Sequence, residues 1–117
     1  MAKPIFKHVI EGARVYVAGR GTWTRFTLAA TSRGAECEPT DARARKFCAY
    51  GALVRVAYDL TGDHTEARRL AGRAAMSMTG ADTPEEAFEK IYTVNDGQPT
   101  SSRKAILAMF DAGLARV

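Results

Sequence analysis

Phe47-Cys48-Ala49-Tyr50-Gly51-Ala52-Leu53-Val54 is a run of eight residues without a charged side chain. Small and apolar positions continue to Tyr58 at spacings of three and four, which is typical of a helix that buries one face. Upstream, Pro39-Thr40-Asp41 supplies a start, with the threonine or the aspartate as N-cap. The sequence therefore predicts a central buried helix that begins near residue 40 and runs through the apolar residues to Tyr58.

Four other segments show the same helical periodicity, and caps or turns mark where they begin and end. The predicted helices are a first one over 4–18 that ends at Gly19-Arg20-Gly21, a third from the capping box Asp63-x-x-Glu66 to Gly80, a fourth from Thr83-Pro84 to the turn Asn95-Asp96-Gly97, and a last one capped by Thr100-Ser101-Ser102.

One segment changes to the aromatic and β-branched composition of strands. Residues 23–31 and 35–38 flank the turn Ser32-Arg33-Gly34, which predicts a short hairpin. Because a two-stranded unit is barely stable alone, it should pack on the helices. We expect a mainly α fold, with about five helices and one small β-hairpin packed on the central buried helix.

The length and composition predict one soluble domain that spans residues 1–117. The chain is 46% hydrophobic and 26% charged, as in an ordinary globular protein. Its first apolar stretch, Val9 to Ala18, is interrupted by Glu11 and Arg14, which argues against a signal peptide. The run at 47–54 is far shorter than the roughly 20 residues of a membrane span. We therefore expect a cytoplasmic location and no membrane partner.

Four short motifs lie along the chain: Gly21-Thr22-Trp23-Thr24, the segment 47–53, Val94-Asn95-Asp96 and the segment 106–111. Together they resemble a family of small bacterial and phage proteins known only as a domain of unknown function. The similarity covers roughly residues 5–115, although the family usually has tryptophan where Phe47 stands. The resemblance implies a helical fold with an Asn-Asp turn, and it implies no reaction.

The two cysteines give no clear sign of catalysis or metal binding. Without an export signal, Cys37 and Cys48 should be free thiols, and with His8 and His64 they do not form a zinc pattern. Cys48 with one of the histidines would be the nucleophile of a cysteine enzyme only if its thiolate were stabilised, and an apolar helix does the opposite. We expect a structural cysteine, no catalytic residue and no cofactor; an enzyme that uses Cys48 or Asp96 is the alternative.

The positive charge belongs to the first half of the chain. Residues 1–50 carry nine Lys/Arg and four Asp/Glu, a net +5, whereas residues 51–117 carry eight and nine, a net −1. The arginines of the first half alternate with Trp23 and Phe26, and cations interleaved with aromatic rings are typical of nucleic-acid binding. The other interpretation is that the two rings belong to the core and the arginines only solvate the surface.

Asn95-Asp96-Gly97 is first of all a turn, because these residues tolerate left-handed backbone. Its functional interpretation is a polar pocket in which Asp96 lies beside Trp23 or Arg25. The predicted binding residues are thus Arg20, Trp23, Arg25, Arg33, Arg43, Asn95 and Asp96. They suggest a non-catalytic binding or accessory protein whose partner is a nucleic acid or an acidic protein. The alanine stripe at 67, 71 and 74 would in addition allow a homodimer.

Overall fold

The computed structural model describes the backbone of residues 2–97 and 99–117, and the side chains of residues 5–97 and 103–117. The described residues form five helices and one small sheet, which confirms the predicted class. In chain order the elements are α1 Ala2–Ala18, β1 Ala29–Thr31, β2 Glu36–Cys37, β3 Ala44–Phe47, α2 Ala49–Thr61, α3 His64–Thr79, α4 Pro84–Asn95 and α5 Pro99–Arg116. Within these ranges, no helix has the length and apolar character needed to cross a membrane.

The sheet has three antiparallel strands in the order β2-β1-β3, so the predicted hairpin is only part of it. β1 and β2 pair around the turn at Ser32-Arg33-Gly34, as expected. Residues 23–28, predicted to be strand, are irregular apart from one parallel bridge from Trp23 to Phe47. The third strand, β3, pairs with β1 in a segment that was predicted to be helical.

The start predicted for the central helix was therefore wrong. α2 begins at Ala49, and its N-cap is Cys48, whose sulfur accepts a hydrogen bond from the Gly51 amide at 3.3 Å. Neither Thr40 nor Asp41 caps a helix, and the basic residues at 43, 45 and 46 precede α2 instead of occupying its first turns.

α2 nevertheless has the central position that its composition predicts. It packs against α1 and α3, and Ala49, Ala52 and Leu53 are completely buried. Gly51 packs so closely on the segment before β1 that a methyl group there would overlap the Leu28 carbonyl oxygen. Only glycine at this position allows α2 to contact that segment.

Two helix starts and one helix end follow the local signals closely. Asp63 and Thr83 cap α3 and α4 by accepting hydrogen bonds from Glu66 N and Glu86 N, and Gly80 ends α3 in the left-handed conformation. α5 begins at Pro99, before the predicted cap at 100–102, whose side chains lie outside the described residues.

The alanine stripe of α3 lies in the core of the same chain. Ala67, Ala71 and Ala74 have no exposed surface, because α3 packs against α2, α4 and α5. This face is therefore not available to a second copy of the chain, and a homodimer would need another surface.

Candidate functional site

Asn95, the last residue of α4, joins three parts of the fold. It is completely buried, and its Oδ1 accepts hydrogen bonds from Trp23 Nε1 at 2.8 Å and from Ala49 N at 3.0 Å. Its Nδ2 donates to the Thr24 carbonyl at 3.1 Å and to Asp96 Oδ1 at 3.1 Å. The side chain thus fastens the segment after α1, the start of α2 and the end of α4 to one another. It was predicted as a turn residue, whereas it ends a helix in the core.

Asp96 holds the neighbouring segment in an unusual conformation. Its Oδ1 accepts from Phe26 N at 2.8 Å, and Phe26 has φ +68° with 72% of its surface exposed. Arg25 donates from Nη2 to the Asp96 carbonyl at 3.0 Å and lies 4.6 Å from the centroid of the Phe26 ring. A phenylalanine with positive φ is an outlier that the surroundings must stabilise. These contacts place Asp96 beside Arg25, one of the two neighbours that the pocket hypothesis requires.

A pocket of about 390 Å³ opens between segment 26–28 and α4. Phe26, Phe88 and Tyr92 supply aromatic rings, and the rings of Phe88 and Tyr92 pack at 5.2 Å between centroids. We call it the aromatic pocket; its lining residues are Phe26, Thr27, Leu28, Cys48, Phe88, Tyr92 and Asp96. Its size and mainly apolar walls are those of a small-ligand site.

Cys48 lines this pocket but is poorly suited to nucleophilic attack. A helix N-cap position ordinarily favours a thiolate. Here burial dominates and raises the pKa of the Cys48 thiol to about 11, even though the amides of Gly51 and Tyr50 lower it. His64, the base considered above, packs its ring against Tyr58 near the other end of α2. The geometry therefore does not assemble a Cys48–His64 pair.

The two cysteines should differ in their reaction with a thiol reagent. We expect iodoacetamide at pH 8 to modify Cys37, which is partly exposed, before Cys48, which is 5% exposed. Peptide mass spectrometry over time measures both rates, and the same reaction in denaturant is the control, in which the rates should become similar. Faster native modification of Cys48 than of Cys37 would contradict the structural role and favour the enzyme alternative.

A second cavity, of about 400 Å³, is lined by three arginines and lies beside the turn between β1 and β2. A β-bulge in β3 between the partners of Ala30 and Thr31 leaves Arg45 as an extra residue. Arg45 Nη1 donates to the carbonyls of Ala42 and Ala44 at 2.8 and 2.9 Å. We call this cavity the basic cleft; it is lined by Thr31, Ser32, Arg33, Ala35, Arg43 and Arg45.

One arginine of the basic cleft is partly neutralised. Arg43 forms an ion pair with Asp41 at 3.0 Å. The hydrogen bond from Arg43 lowers the pKa of the Asp41 carboxyl to about 2. Asp41 is therefore ionised over the whole physiological range, and Arg43 keeps this partner unless a ligand competes for it.

The predicted binding residues do not form one site. Arg33 and Arg43 lie in the basic cleft, whereas Trp23, Arg25 and the Asn-Asp pair lie at the junction with α4. Arg20 is exposed in the segment after α1 and lines neither cavity. Trp23 is half buried and its indole N–H is bonded to Asn95, so it is not a free stacking surface.

Sequence reasoning did not assign the aromatic pocket. Phe88 and Tyr92 are spaced by four residues on α4, so they share one helix face, and both are exposed. That spacing was the available signal.

These features define a mainly helical protein with a small antiparallel sheet, an aromatic pocket and a separate basic cleft. The chain belongs to the family of unknown function DUF6197, which matches residues 1–116. The predicted membership in a family of unknown function is thereby confirmed. No curated protein and no solved structure matches the chain.

Proposed function

We propose that the protein is a non-catalytic binding or accessory protein whose acidic partner contacts the basic cleft. The observation that carries this proposal is the convergence of three arginines and two hydroxyl-bearing residues on one concave surface of the sheet. Guanidinium groups match the geometry of phosphate and carboxylate oxygens. The cleft therefore suits an acidic group of the partner.

The three arginines of the basic cleft differ in whether an acidic group of the same chain already neutralises them. Arg45 bonds to uncharged carbonyl oxygens, so its positive charge is oriented but not neutralised. Arg33 is exposed and takes part in no ion pair within the described part of the chain. Arg43 is already paired with Asp41. We therefore expect Arg33 and Arg45 to contribute most to binding.

The extent of the positive surface limits the size of the contact. Glu36 and Glu38 follow the turn that carries Arg33, and Asp41 lies beside Arg43. A partner should therefore engage the cleft through a few phosphates or carboxylates, and not along a continuous groove. A nucleic acid is the partner that we test first, and an acidic protein is the alternative.

The enzyme alternative has less support. A cysteine nucleophile requires a stabilised thiolate, and burial raises the pKa of Cys48. Asp96 Oδ1 already accepts from Phe26 N and from Asn95 Nδ2, which gives the carboxylate a structural role.

Binding of an oligonucleotide should depend on salt and on two arginines of the cleft. We expect the logarithm of affinity to fall with the logarithm of salt concentration by about 0.7 to 0.9 per phosphate contacted. Arg33→Ala and Arg45→Ala should each remove about one phosphate contact, and the magnitude of the slope should fall by about 0.7 to 0.9 in each variant. Fluorescence anisotropy with a labelled oligonucleotide measures both effects, and Lys104→Ala, which removes an exposed lysine of α5, is the matched control.

Failure to bind single- or double-stranded DNA or RNA at low salt would contradict the nucleic-acid form of the proposal. The slope should not change in the Lys104→Ala control. If Lys104→Ala lowered the slope as much as Arg33→Ala or Arg45→Ala, the overall charge of the protein, and not the basic cleft, would attract the oligonucleotide.

The remaining expectations belong to the same proposal. They are an origin in bacteria or phages with the short motifs of that family, a cytoplasmic location and a single domain over residues 1–117. A homodimer stays part of it only through a surface other than the stripe of α3, which the core of the same chain already covers.

A further inference from the structure

The surroundings of the aromatic pocket are acidic, although the chain has a net charge of +4. Asp96 lines the pocket itself. A neighbouring cavity of about 390 Å³ shares segment 26–28 with it and is also lined by Glu36 and Glu38. Of these two glutamates, Glu38 pairs with Arg68 at 3.0 Å. The exposed Phe26 thus belongs to a segment that lines two cavities, each of which contains carboxylates.

The end of α4 adds to this negative potential. α4 finishes at Asn95, and the last carbonyl groups of a helix carry the negative end of its dipole. Arg25 offsets part of this potential, since it donates to the carbonyls of Asn95 and Asp96. The Asp96 carboxylate, in contrast, forms no ion pair within the described residues.

The aromatic walls favour a cation as well. Phe26, Phe88 and Tyr92 line one pocket, and the faces of aromatic rings attract positive charge. Arg25 lies 4.6 Å from the centroid of the Phe26 ring without lining the pocket, which shows such an attraction within the chain itself. The α2 amides of Ala49 and Gly51 are bonded to Asn95 and Cys48, so they are not free to favour an anion here.

We infer that the aromatic pocket binds a methylated ammonium group. A primary ammonium has three N–H donors to satisfy. Among the described residues that line the pocket, Asp96 is the only carboxylate; its Oδ1 already accepts two hydrogen bonds, so Oδ2 is the carboxylate oxygen left for the three donors of a primary ammonium. A methylated ammonium needs few or no acceptors and gains from contact with aromatic rings, so it fits this lining better.

The inference does not depend on the proposed acidic partner, because the basic cleft uses other residues. The methylated ammonium group belongs either to a small amine or to a lysine side chain of a peptide. Choline and a short peptide with trimethyllysine represent these two sources. Tighter binding of choline would assign the site to a free amine, and tighter binding of the peptide to a side chain; both results support the inference.

The test is a titration of the intact protein followed by the NMR signal of the Trp23 indole N–H, which is bonded to Asn95 beside the pocket. We expect saturable binding of choline and about tenfold weaker binding of 3,3-dimethylbutan-1-ol, its uncharged analogue of the same shape. Equal binding of the two, or preference for n-butylammonium or for the unmethylated peptide, would overturn the inference.

Two variants locate the site. Phe26→Gly removes one ring and suits φ +68°, so it should fold and should weaken choline binding by about five- to tenfold. Asp96→Asn keeps the shape and an acceptor for Phe26 N but removes the charge, and a similar loss is expected. Leu60→Ala, an exposed residue near the far end of α2, is the control and should bind like the parent. Unchanged affinity in Phe26→Gly would also overturn the inference.

Discussion

Asn95→Ala should lower the free energy of unfolding by roughly 3 to 6 kcal/mol, because it leaves several polar groups in the interior without partners. Oδ1 accepts from Trp23 Nε1 and Ala49 N, and Nδ2 donates to the Thr24 carbonyl and to Asp96. Each unsatisfied buried donor or acceptor costs about 1 to 3 kcal/mol. Since small domains are stable by only about 5 to 15 kcal/mol, the variant should be close to unfolded.

Urea unfolding followed by circular dichroism measures this effect. Thr93→Ala, at an exposed position two residues earlier in α4, is the control and should change stability by no more than about 0.5 kcal/mol. Asn95→Asp is a second variant. It keeps an acceptor for Trp23 but sets a carboxylate against the Thr24 carbonyl and Asp96, so it should also be destabilised. A parent-like midpoint in both variants would show that this side chain does not hold the junction together.

The sequence predicted most helices because their signals are local. Thr83-Pro84 and Asp63-x-x-Glu66 fix the start of α4 and α3 through hydrogen bonds within a few residues. Such contacts do not depend on the rest of the fold. The same holds for Gly80, whose left-handed conformation ends α3.

The missed strand has a specific cause. Ala44 and Phe47 are three residues apart, and in a regular strand they would point to opposite faces. The bulge at Arg45 shifts the register, so both are buried, at 3% and 1% exposure. The apolar spacing of an irregular strand was therefore interpreted as that of an amphipathic helix. Pairing with β1 is what makes this segment a strand, and β1 lies more than ten residues earlier in the chain.

Only part of the candidate site could be predicted from the residues alone. It predicted that Asp96 lies near Trp23 or Arg25, and the structure brings these residues together through Asn95 and the backbone. It did not predict the pocket wall formed by Phe26, because phenylalanine with positive φ has no local signal. The Asp96 carboxylate stabilises that conformation by accepting from Phe26 N, a contact between residues 70 positions apart.

The basic cleft was also predicted only in part. Arg33 and Arg43 were assigned to one binding surface, and both do line the cleft. Arg45 was counted with the basic first half but was not among the predicted binding residues, and the bulge in β3 determines its position in the cleft. Arg25 carries the same charge but is used at the end of α4, a role that charge patterning alone does not reveal.

Phe47→Ala should cost on the order of 3 to 5 kcal/mol, the usual range for a buried phenylalanine. The ring is 1% exposed and packs on Tyr16, with 4.7 Å between ring centroids. Its removal leaves a cavity where α1 meets β3. The backbone bonds of Phe47 to Thr22 and Thr24 remain in place, so the loss should come from packing alone.

Thermal and urea unfolding measure the change in stability. Phe26→Ala is the matched control, because it also removes a phenyl ring but from a position that is 72% exposed. The control should lose no more than about 1 kcal/mol, since it forfeits little beyond the contact of Phe26 with Arg25. Similar losses in the two variants would mean that Phe47 is not a core residue. A large loss at position 47 alone would confirm that Phe47 packs between the sheet and the helices, as in the structure. Phe47 has this role although it ends strand β3 and does not belong to the predicted helix.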